Sequence, residues 1–297
     1  MLTLTFESSR IFAGISNCIM LHPANASEFE AFRRTAERCA SGVLEAYVSG
    51  RAGLEELRAA IEKLELDVER KLENVRLNVG GEELRLIPYI FSVNRIVCSG
   101  RLEFSPELQF YACKSGEIED VRKSLKKIRS AELRAIKSGK AEKVSKVNEL
   151  EGAMLGYPQC CVKEFSRRKR LRNSGKNVRS LEGKIAEEYL KLGLSEALER
   201  AFREGVMSVL DSIPSSLFAF NFYPCSLKCK NAEKVGRECR RALEERGFSL
   251  LFEAGVIAAM CDLEAICVKM RKIRGKSFVY LSPEDIISRL LAVSKRN

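Results

Sequence analysis

Four cysteines follow two copies of the dipeptide Tyr-Pro. The first copy stands in AMLGYPQCCVKEF, residues 153–165, and the second in FNFYPCSLKCKNA, residues 220–232. The four thiols are Cys160, Cys161, Cys225 and Cys229. A thiolate binds metals and attacks electrophiles, so a setting that occurs twice indicates a metal site, thiol chemistry, a disulfide or simple packing.

The prolines of the two copies predict two helix starts. Proline is favoured in the first turn of a helix, so Pro158 and Pro224 each mark such a start. The free N–H groups and the dipole of a first turn stabilise a thiolate. Cys225 and Cys229 are four residues apart, so on a helix they share one face and are within reach of one metal.

The sequence alone leaves three uses of these thiols open. Two facing helix starts supply up to four thiolates, which suits a tetrahedral zinc site or an iron–sulfur cluster. Because neighbouring side chains point apart, we expect one of the adjacent pair to be a ligand and the other to be buried. Alternatively, Cys225 or Cys160 is the nucleophile of a thiol-dependent redox or transferase enzyme, and a neighbour resolves it as a disulfide. In the third alternative the protein is non-catalytic and its cysteines are structural.

Residues beside the cysteines complete the candidate site. They are Tyr157, Pro158, Asn221, Tyr223, Ser226 and the more distant His22. His22 is the only histidine of the chain, which excludes a metal site with several histidines. It follows an apolar segment, and a residue in such a loop lies either in an active site or at the surface. The aromatic residues of FNFYP either stack nucleic-acid bases or belong to the core.

The basic charge of the chain is concentrated in one window. The formal net charge is +11, while residues 122–184 hold 19 Lys/Arg and 6 Asp/Glu, a net of +13 that leaves −2 for the remainder. The densest run supplies the predicted nucleic-acid contacts, which are Arg167, Arg168, Lys169, Arg170 and Arg172. This distribution favours RNA or another polyanion as a partner, or else a solvated helix face.

Composition limits the class of protein. The chain of 297 residues is 45% hydrophobic and 31% charged, which is typical of a globular protein. We expect it to be cytoplasmic, because its start lacks a signal-peptide pattern and its most apolar stretch is interrupted by acidic residues. Eleven cysteines in a cytoplasmic chain favour metal or redox use, and the scarcity of glutamine hints at a thermophile. The chain lacks a phosphate loop, a G-x-G-x-x-G motif and a serine nucleophile elbow.

The periodicity of apolar residues predicts an α+β fold. A strand over residues 2–7, its partner over 11–21, a helical hairpin and a β-hairpin over 74–87 form a small mixed N-terminal domain, residues 1–116. Residues 117–297 form a mostly helical domain that carries the cysteine motifs. Its helices are expected at about 118–128, 159–172, 182–211, 226–246 and 250–272, with a last one after the start signal SPED.

The two motifs resemble those of an uncharacterised family. The segments LGYPQCC and NFYPCSLKC, within residues 150–246, are similar to the LGYP-x-CC and PCS-x2-C motifs of mainly archaeal proteins with a domain of unknown function. The resemblance implies that the motif residues act together. Those residues are Gly156, Tyr157, Pro158, Cys160, Cys161, Pro224, Cys225, Ser226 and Cys229. The resemblance to this family implies no activity.

Overall fold

The computed structural model describes residues 8–21, 27–91, 95–96, 102–103, 106–218 and 222–271. Its strands are β1 (Cys18–Leu21), β2 (Leu77–Val79), β3 (Glu82–Phe91), β4 (Arg95–Ile96), β5 (Leu102–Glu103) and β6 (Glu107–Lys114). Its helices are α1 (Ser27–Val48), α2 (Leu54–Leu72), α3 (Ile118–Ser138), α4 (Val144–Met154), α5 (Gln159–Asn173), α6 (Leu181–Lys191), α7 (Leu194–Glu204), α8 (Lys230–Glu244) and α9 (Ser249–Arg271). The architecture is α+β, as the sequence predicted.

Two compact units divide the described chain. The sheet unit comprises residues 16–156 and 169–178, and the cysteine unit comprises the described parts of residues 1–15, 157–168 and 179–297. The domain boundary near residue 116 that the sequence analysis proposed stays a prediction. Within the ranges that the structure describes, no helix combines the length and the apolar character needed to cross a membrane.

The sheet unit is built on an antiparallel sheet with the strand order β1-β6-β3-β2. The predicted β-hairpin is confirmed: Gly80 and Gly81, both with positive φ, connect β2 to β3. Such φ values suit the tight turn that joins two neighbouring antiparallel strands. Pro88 lies in β3 opposite Phe110 of β6, beyond the end of the β2 pairing at Leu84. The missing N–H of proline is therefore tolerated in this strand.

Helices α1 and α2 form the predicted helical hairpin. Glu56 accepts a hydrogen bond from the backbone N–H of Gly53 at 2.6 Å, which caps the start of α2. The apolar face of α2 is buried, with Leu57 and Ile61 fully inaccessible to solvent. The sequence predicted that these side chains share one helical face, and the structure shows that they belong to the core of this unit.

A buried ion cluster joins α2, α3 and β3 within the sheet unit. Arg129 is 3% exposed and donates to Glu65 at 2.5 Å, to the carbonyl of Ile90 at 2.8 Å, and to Glu132. Its guanidinium lies 4.2 Å from the ring centroid of Tyr89, whose hydroxyl contacts Glu132 at 3.2 Å. Burial raises the pKa of Glu65 to about 7, although the charge of Arg129 opposes this shift. Two carboxylates and one cation therefore depend on each other away from water.

The cysteine unit has a helical core around α6 and α9. Tyr189 of α6 and Phe252 of α9 are fully buried, and Leu227 is buried in the same apolar cluster. Helix α8 packs against the short 3-10 turn Ser215–Phe218 at Gly236, where a Cβ atom would lie 1.7 Å from the carbonyl oxygen of Ser215. Only glycine fits between these two backbones.

Several sequence predictions need correction. Residues 11–12 are helical, so the strand expected over 11–21 is reduced to β1. The helix expected over 182–211 is interrupted at Gly193, whose φ of 67° is left-handed, and ends at α7. The helix expected over 226–246 begins at Lys230. The predicted strand over residues 2–7 and the helix after SPED lie outside the described residues.

Replacing Arg129 by methionine keeps much of its volume but leaves Glu65 and Glu132 without their cation. Because removing one partner leaves buried charge without a counterion, we expect the free energy of unfolding to fall by roughly 3–5 kcal/mol. Urea denaturation measures this change. Arg58→Met, which removes an exposed cation 2.9 Å from Glu62, is the control and should have little effect. Equal losses in the two variants would contradict a special role for the cluster.

Candidate metal centre

The start of α5 places the first two cysteines. Pro158 immediately precedes the helix, and its carbonyl accepts the backbone N–H groups of Cys161 at 2.9 Å and Val162 at 3.1 Å. Both Cys160 and Cys161 therefore lie in the first helical turn, as the sequence predicted. Cys161 is 2% exposed, whereas Cys160 is partly exposed.

A loop before α8, rather than a helix, places the other two cysteines. Cys229 is the N-cap of α8, and its N–H donates to the carbonyl of Ser226 at 3.0 Å. Pro224 therefore does not begin a helix, and Cys225 and Cys229 do not share a helical face. They come together instead because the chain turns between them.

The four sulfur atoms meet in one place within the cysteine unit. The Sγ of Cys160 lies 3.6 Å from that of Cys229 and 3.9 Å from that of Cys161. Cys161 and Cys229 are 3.8 Å apart, and all four sulfurs, that of Cys225 included, lie within 4.8 Å of one another. The expectation that the adjacent cysteines point apart is not met. All four thiols are free, with no disulfide among them.

Two donors of the second segment, residues 220–232, point at the sulfurs of the first. The backbone N–H of Cys225 donates to the Sγ of Cys161 at 3.3 Å, and the side-chain amide of Asn231 donates to the Sγ of Cys160 at 3.5 Å. Such donors favour negative charge on sulfur, as do the two helix starts. Sequence reasoning missed Asn231, although its position two residues after Cys229 was a usable signal.

The environments of the thiols shift their pKa values in different directions. Burial raises the pKa of Cys161 well above its usual range, and burial together with Cys229 raises that of Cys225 to about 11. At Cys160 burial is outweighed by hydrogen bonds from Asn231 and the neighbouring thiols, which lower its pKa. Cys160 is therefore the thiol most easily ionised among these three.

Side chains of α6 hold the loop that carries Cys225 and Cys229. Glu188 accepts hydrogen bonds from the hydroxyl of Ser226 and from the backbone N–H of Leu227, both at 2.8 Å. Lys184 donates to the carbonyl of Cys225, and Ser216 donates to that of Leu227 at 2.7 Å. These supports were not found from the sequence, since Lys184 and Glu188 resemble an ordinary exposed i,i+4 pair.

The other predicted site residues have different surroundings. The ring of Tyr157 lies 4.9 Å from that of Phe222 and 4.6 Å from the guanidinium of Arg10. Tyr223 packs against the core of the cysteine unit, and burial raises its pKa to about 12. Ser226 supports the loop through Glu188. His22 and Asn221 lie outside the described residues.

The basic run on α5 is largely bound to its own chain. Arg167 donates to both carboxylate oxygens of Glu164, at 2.8 and 2.9 Å, and Arg168 donates to Glu164 at 2.6 Å and to the carbonyl of Arg179 at 3.0 Å. These hydrogen bonds, that of Arg167 first, lower the pKa of Glu164 to about 2. Lys169 donates to Asn148 at 3.5 Å, while Arg170 and Arg172 are exposed. Nucleic-acid binding by this run stays a prediction.

A family model covers the segment that brings the four cysteines together. Residues 107–253 match the model described as protein of unknown function DUF483. This segment belongs to that family. The DUF483 match begins with β6 and ends in α9, so it extends beyond residues 150–246, for which the sequence motifs implied a family. An archaeal origin, and the two motifs as shared features of DUF483 proteins, stay predictions.

The search of curated proteins and the search of solved structures each found no match. The match to DUF483 supplies no activity, so only the residues of the site indicate its chemistry.

Replacing Glu188 by alanine removes the acceptor that holds the loop. We expect the free energy of unfolding to fall by roughly 2–3 kcal/mol, because two hydrogen bonds to a charged group are lost and their donors are left partly buried. Alkylation of Cys225 and Cys229 in metal-free protein should also accelerate. Denaturant titration and mass spectrometry of the alkylated peptides measure the two effects.

Two matched variants test the cause of that change. Glu188→Gln keeps an oxygen that accepts both hydrogen bonds, so it should lose less stability than Glu188→Ala. Glu187→Ala removes the neighbouring carboxylate, which pairs with Arg179 at the surface, and should leave the unfolding midpoint nearly unchanged. The same loss at both positions would show that Glu188 does not hold the loop.

Proposed function

We propose that the four cysteines of the DUF483 segment bind one tetrahedrally coordinated metal ion, Zn²⁺ in the first instance. The observation that carries the proposal is the mutual distance of the sulfurs, with three separations of 3.6–3.9 Å and all four within 4.8 Å. Four thiolates at about 2.3 Å from one ion form a tetrahedron with edges of about 3.8 Å. The arrangement therefore fits an ion with little movement.

The spacing favours a single ion over the iron–sulfur cluster that the sequence also allowed. In a cluster the thiolates bind different iron atoms, two in one type and four in another, so they are spread around a larger body. Four sulfurs within 4.8 Å of one another suit one centre instead. A mononuclear iron ion has the same ligand requirement and is distinguished by metal analysis.

A structural role for the ion is supported by the completeness of its ligand set. A site with four protein ligands leaves no open position, which is typical of structural rather than catalytic zinc. The ion would join the start of α5 to the loop before α8, segments that are 64 to 69 residues apart in the chain. Binding free energy would then add directly to the stability of the cysteine unit.

The thiol-enzyme alternative retains one supporting observation. Cys160 is partly exposed and its pKa is lowered, the two properties that a nucleophilic cysteine needs. Cys225, the other candidate nucleophile, is disfavoured because its pKa is raised to about 11. A reactive Cys160 in metal-free protein, quenched when the ion binds, fits the metal proposal as well.

Metal analysis of the purified full chain tests the proposal directly. We expect about one zinc per chain and no acid-labile sulfide. Cys229→Ser should weaken zinc binding by roughly 100-fold or more, because one of four thiolate ligands is lost. Cys39→Ser, which replaces an exposed cysteine outside the cluster, is the control and should leave the zinc content unchanged.

The other outcomes are equally informative. If the analysis finds iron with an equal amount of sulfide, the four cysteines bind an iron–sulfur cluster rather than a single ion. A protein that takes up no metal, with Cys160 alkylated rapidly at neutral pH, would support the thiol enzyme and reject the metal site.

Zinc affinity should fall as the pH falls. Cys161 and Cys225 have raised pKa values, so both are protonated in the free protein at neutral pH and both lose a proton when they bind the ion. These two displaced protons alone weaken binding by about 100-fold for each unit of acidification near neutral pH, which is the smallest slope expected. Competition with a chromophoric zinc chelator at two pH values measures the slope. Affinity independent of pH would contradict thiolate ligation.

A further inference from the structure

Helix α3 of the sheet unit presents a row of exposed cations. Beyond its second turn the exposed basic residues are Lys126, Lys127, Arg134 and Lys137, and Lys140 and Lys143 follow just after the helix ends. With 3.6 residues per turn, the four helical cations fall on one face, opposite the buried Leu125 and Ile128. These six residues are called the α3 ridge.

The charges of the α3 ridge are not neutralised by the part of the chain that the structure describes. Among those residues, none forms an ion pair with a member of the ridge. The acidic residues of the first turn of α3 are already engaged, Glu119 by Arg122 and Asp120 by Lys123. The ridge therefore differs from the α5 run, where Arg167 and Arg168 share Glu164.

The dimensions of the α3 ridge suit a phosphate backbone. Lys126 and Lys137 are separated by about 16 Å along the helix axis, at 1.5 Å per residue. A nucleic-acid strand in a duplex advances about 3.4 Å per nucleotide, so this length spans about five phosphates. Four cations on one helical face can thus contact several phosphates of one strand.

The surroundings of the ridge distinguish between kinds of polyanion. Helix α3 contains no aromatic residue, so it offers no platform on which bases stack. Its buried face carries the apolar residues, and none of the exposed large hydrophobic side chains of the described chain lies on it. A helix that binds a lipid surface needs such side chains beside its cations. The ridge therefore suits backbone contacts that do not depend on base sequence.

From these observations we infer that the α3 ridge is a binding surface for the phosphate backbone of a nucleic acid. It lies in the sheet unit and uses none of the four cysteines, so it stands independently of the metal proposal. It also moves the expected contact from the α5 run, where the sequence placed it, to ridge cations that form no ion pair within the described part of the chain.

Fluorescence anisotropy with a labelled oligouridine RNA and an oligothymidine DNA, each of about thirty nucleotides, tests the inference. The full chain should bind both, with affinity falling steeply as salt increases. The variant Lys126→Gln/Lys127→Gln/Arg134→Gln/Lys137→Gln should bind more than 10-fold more weakly. Its slope of log K against log salt should be smaller by about 3, since each lost phosphate contact removes about 0.7 on a single strand.

A second quadruple variant controls for net charge. The variant Arg58→Gln/Arg70→Gln/Arg179→Gln/Arg240→Gln also removes four positive charges. It takes them from arginines that already pair with carboxylates of their own chain. It should keep affinity within about 3-fold and leave the salt slope close to that of the parent. Thermal unfolding followed by circular dichroism confirms that both variants fold, as glutamine and lysine have similar helix propensities.

Four results would overturn the inference. Equal losses in the two quadruple variants would mean that only net charge matters. Loss of binding on replacing Arg167, Arg168, Arg170 and Arg172, with no loss from the ridge variant, would return the contact to α5. Absence of RNA and DNA binding by the parent would reject the surface altogether. So would binding to vesicles containing phosphatidylserine without binding to either oligonucleotide.

Discussion

The arrangement of the cysteine unit depends on holding an irregular loop against the start of a helix. A loop cannot satisfy its own backbone polar groups, so other parts of the chain must do so. Glu188, Lys184 and Ser216 supply those partners, and Leu227 anchors the loop in the apolar core. The sulfur atoms converge because this support comes from α6, a helix packed into the core at Tyr189, and from the buried turn Ser215–Phe218. A network of hydrogen bonds that extends beyond the four cysteines thus fixes their positions.

Much of the fold could be predicted from local sequence patterns. The helical hairpin α1–α2, the turn at Gly80 and Gly81, and helices α3, α5 and α9 follow from periodicity and turn chemistry, which act over short stretches of chain. The predictions were wrong where one residue overrode the pattern. Gly193 adopts a left-handed conformation and divides one predicted helix in two. The loop at residues 225–229 is stabilised by side chains from elsewhere, which a local pattern cannot show.

The four cysteines of the candidate site were predictable from the sequence, but their surroundings were not. Repetition of Tyr-Pro with nearby cysteines grouped the four thiols correctly, because the repeat is visible in one dimension. Long-range packing determines their separation in space, the turn between Cys225 and Cys229 and the role of Glu188.

The charge available to a partner could likewise not be predicted from the sequence. The basic window includes Arg129, which is buried with two carboxylates, and Arg167, which is tied to Glu164, so composition overstates the charge available to a partner.

The contact at Gly236 ties the sulfur geometry to a position that holds no ligand. Helix α8 carries Cys229 at its start, about 10 Å along the axis from Gly236 at 1.5 Å per residue. Because the backbone of Ser215 blocks even a methyl group there, any larger residue at position 236 displaces a rigid helix and its first residue with it. A change at that glycine would therefore disturb the four-cysteine cluster in the same way as a change of Cys229. The steric limit at position 236 thus acts on the cysteine cluster from a distance, through the rigidity of α8.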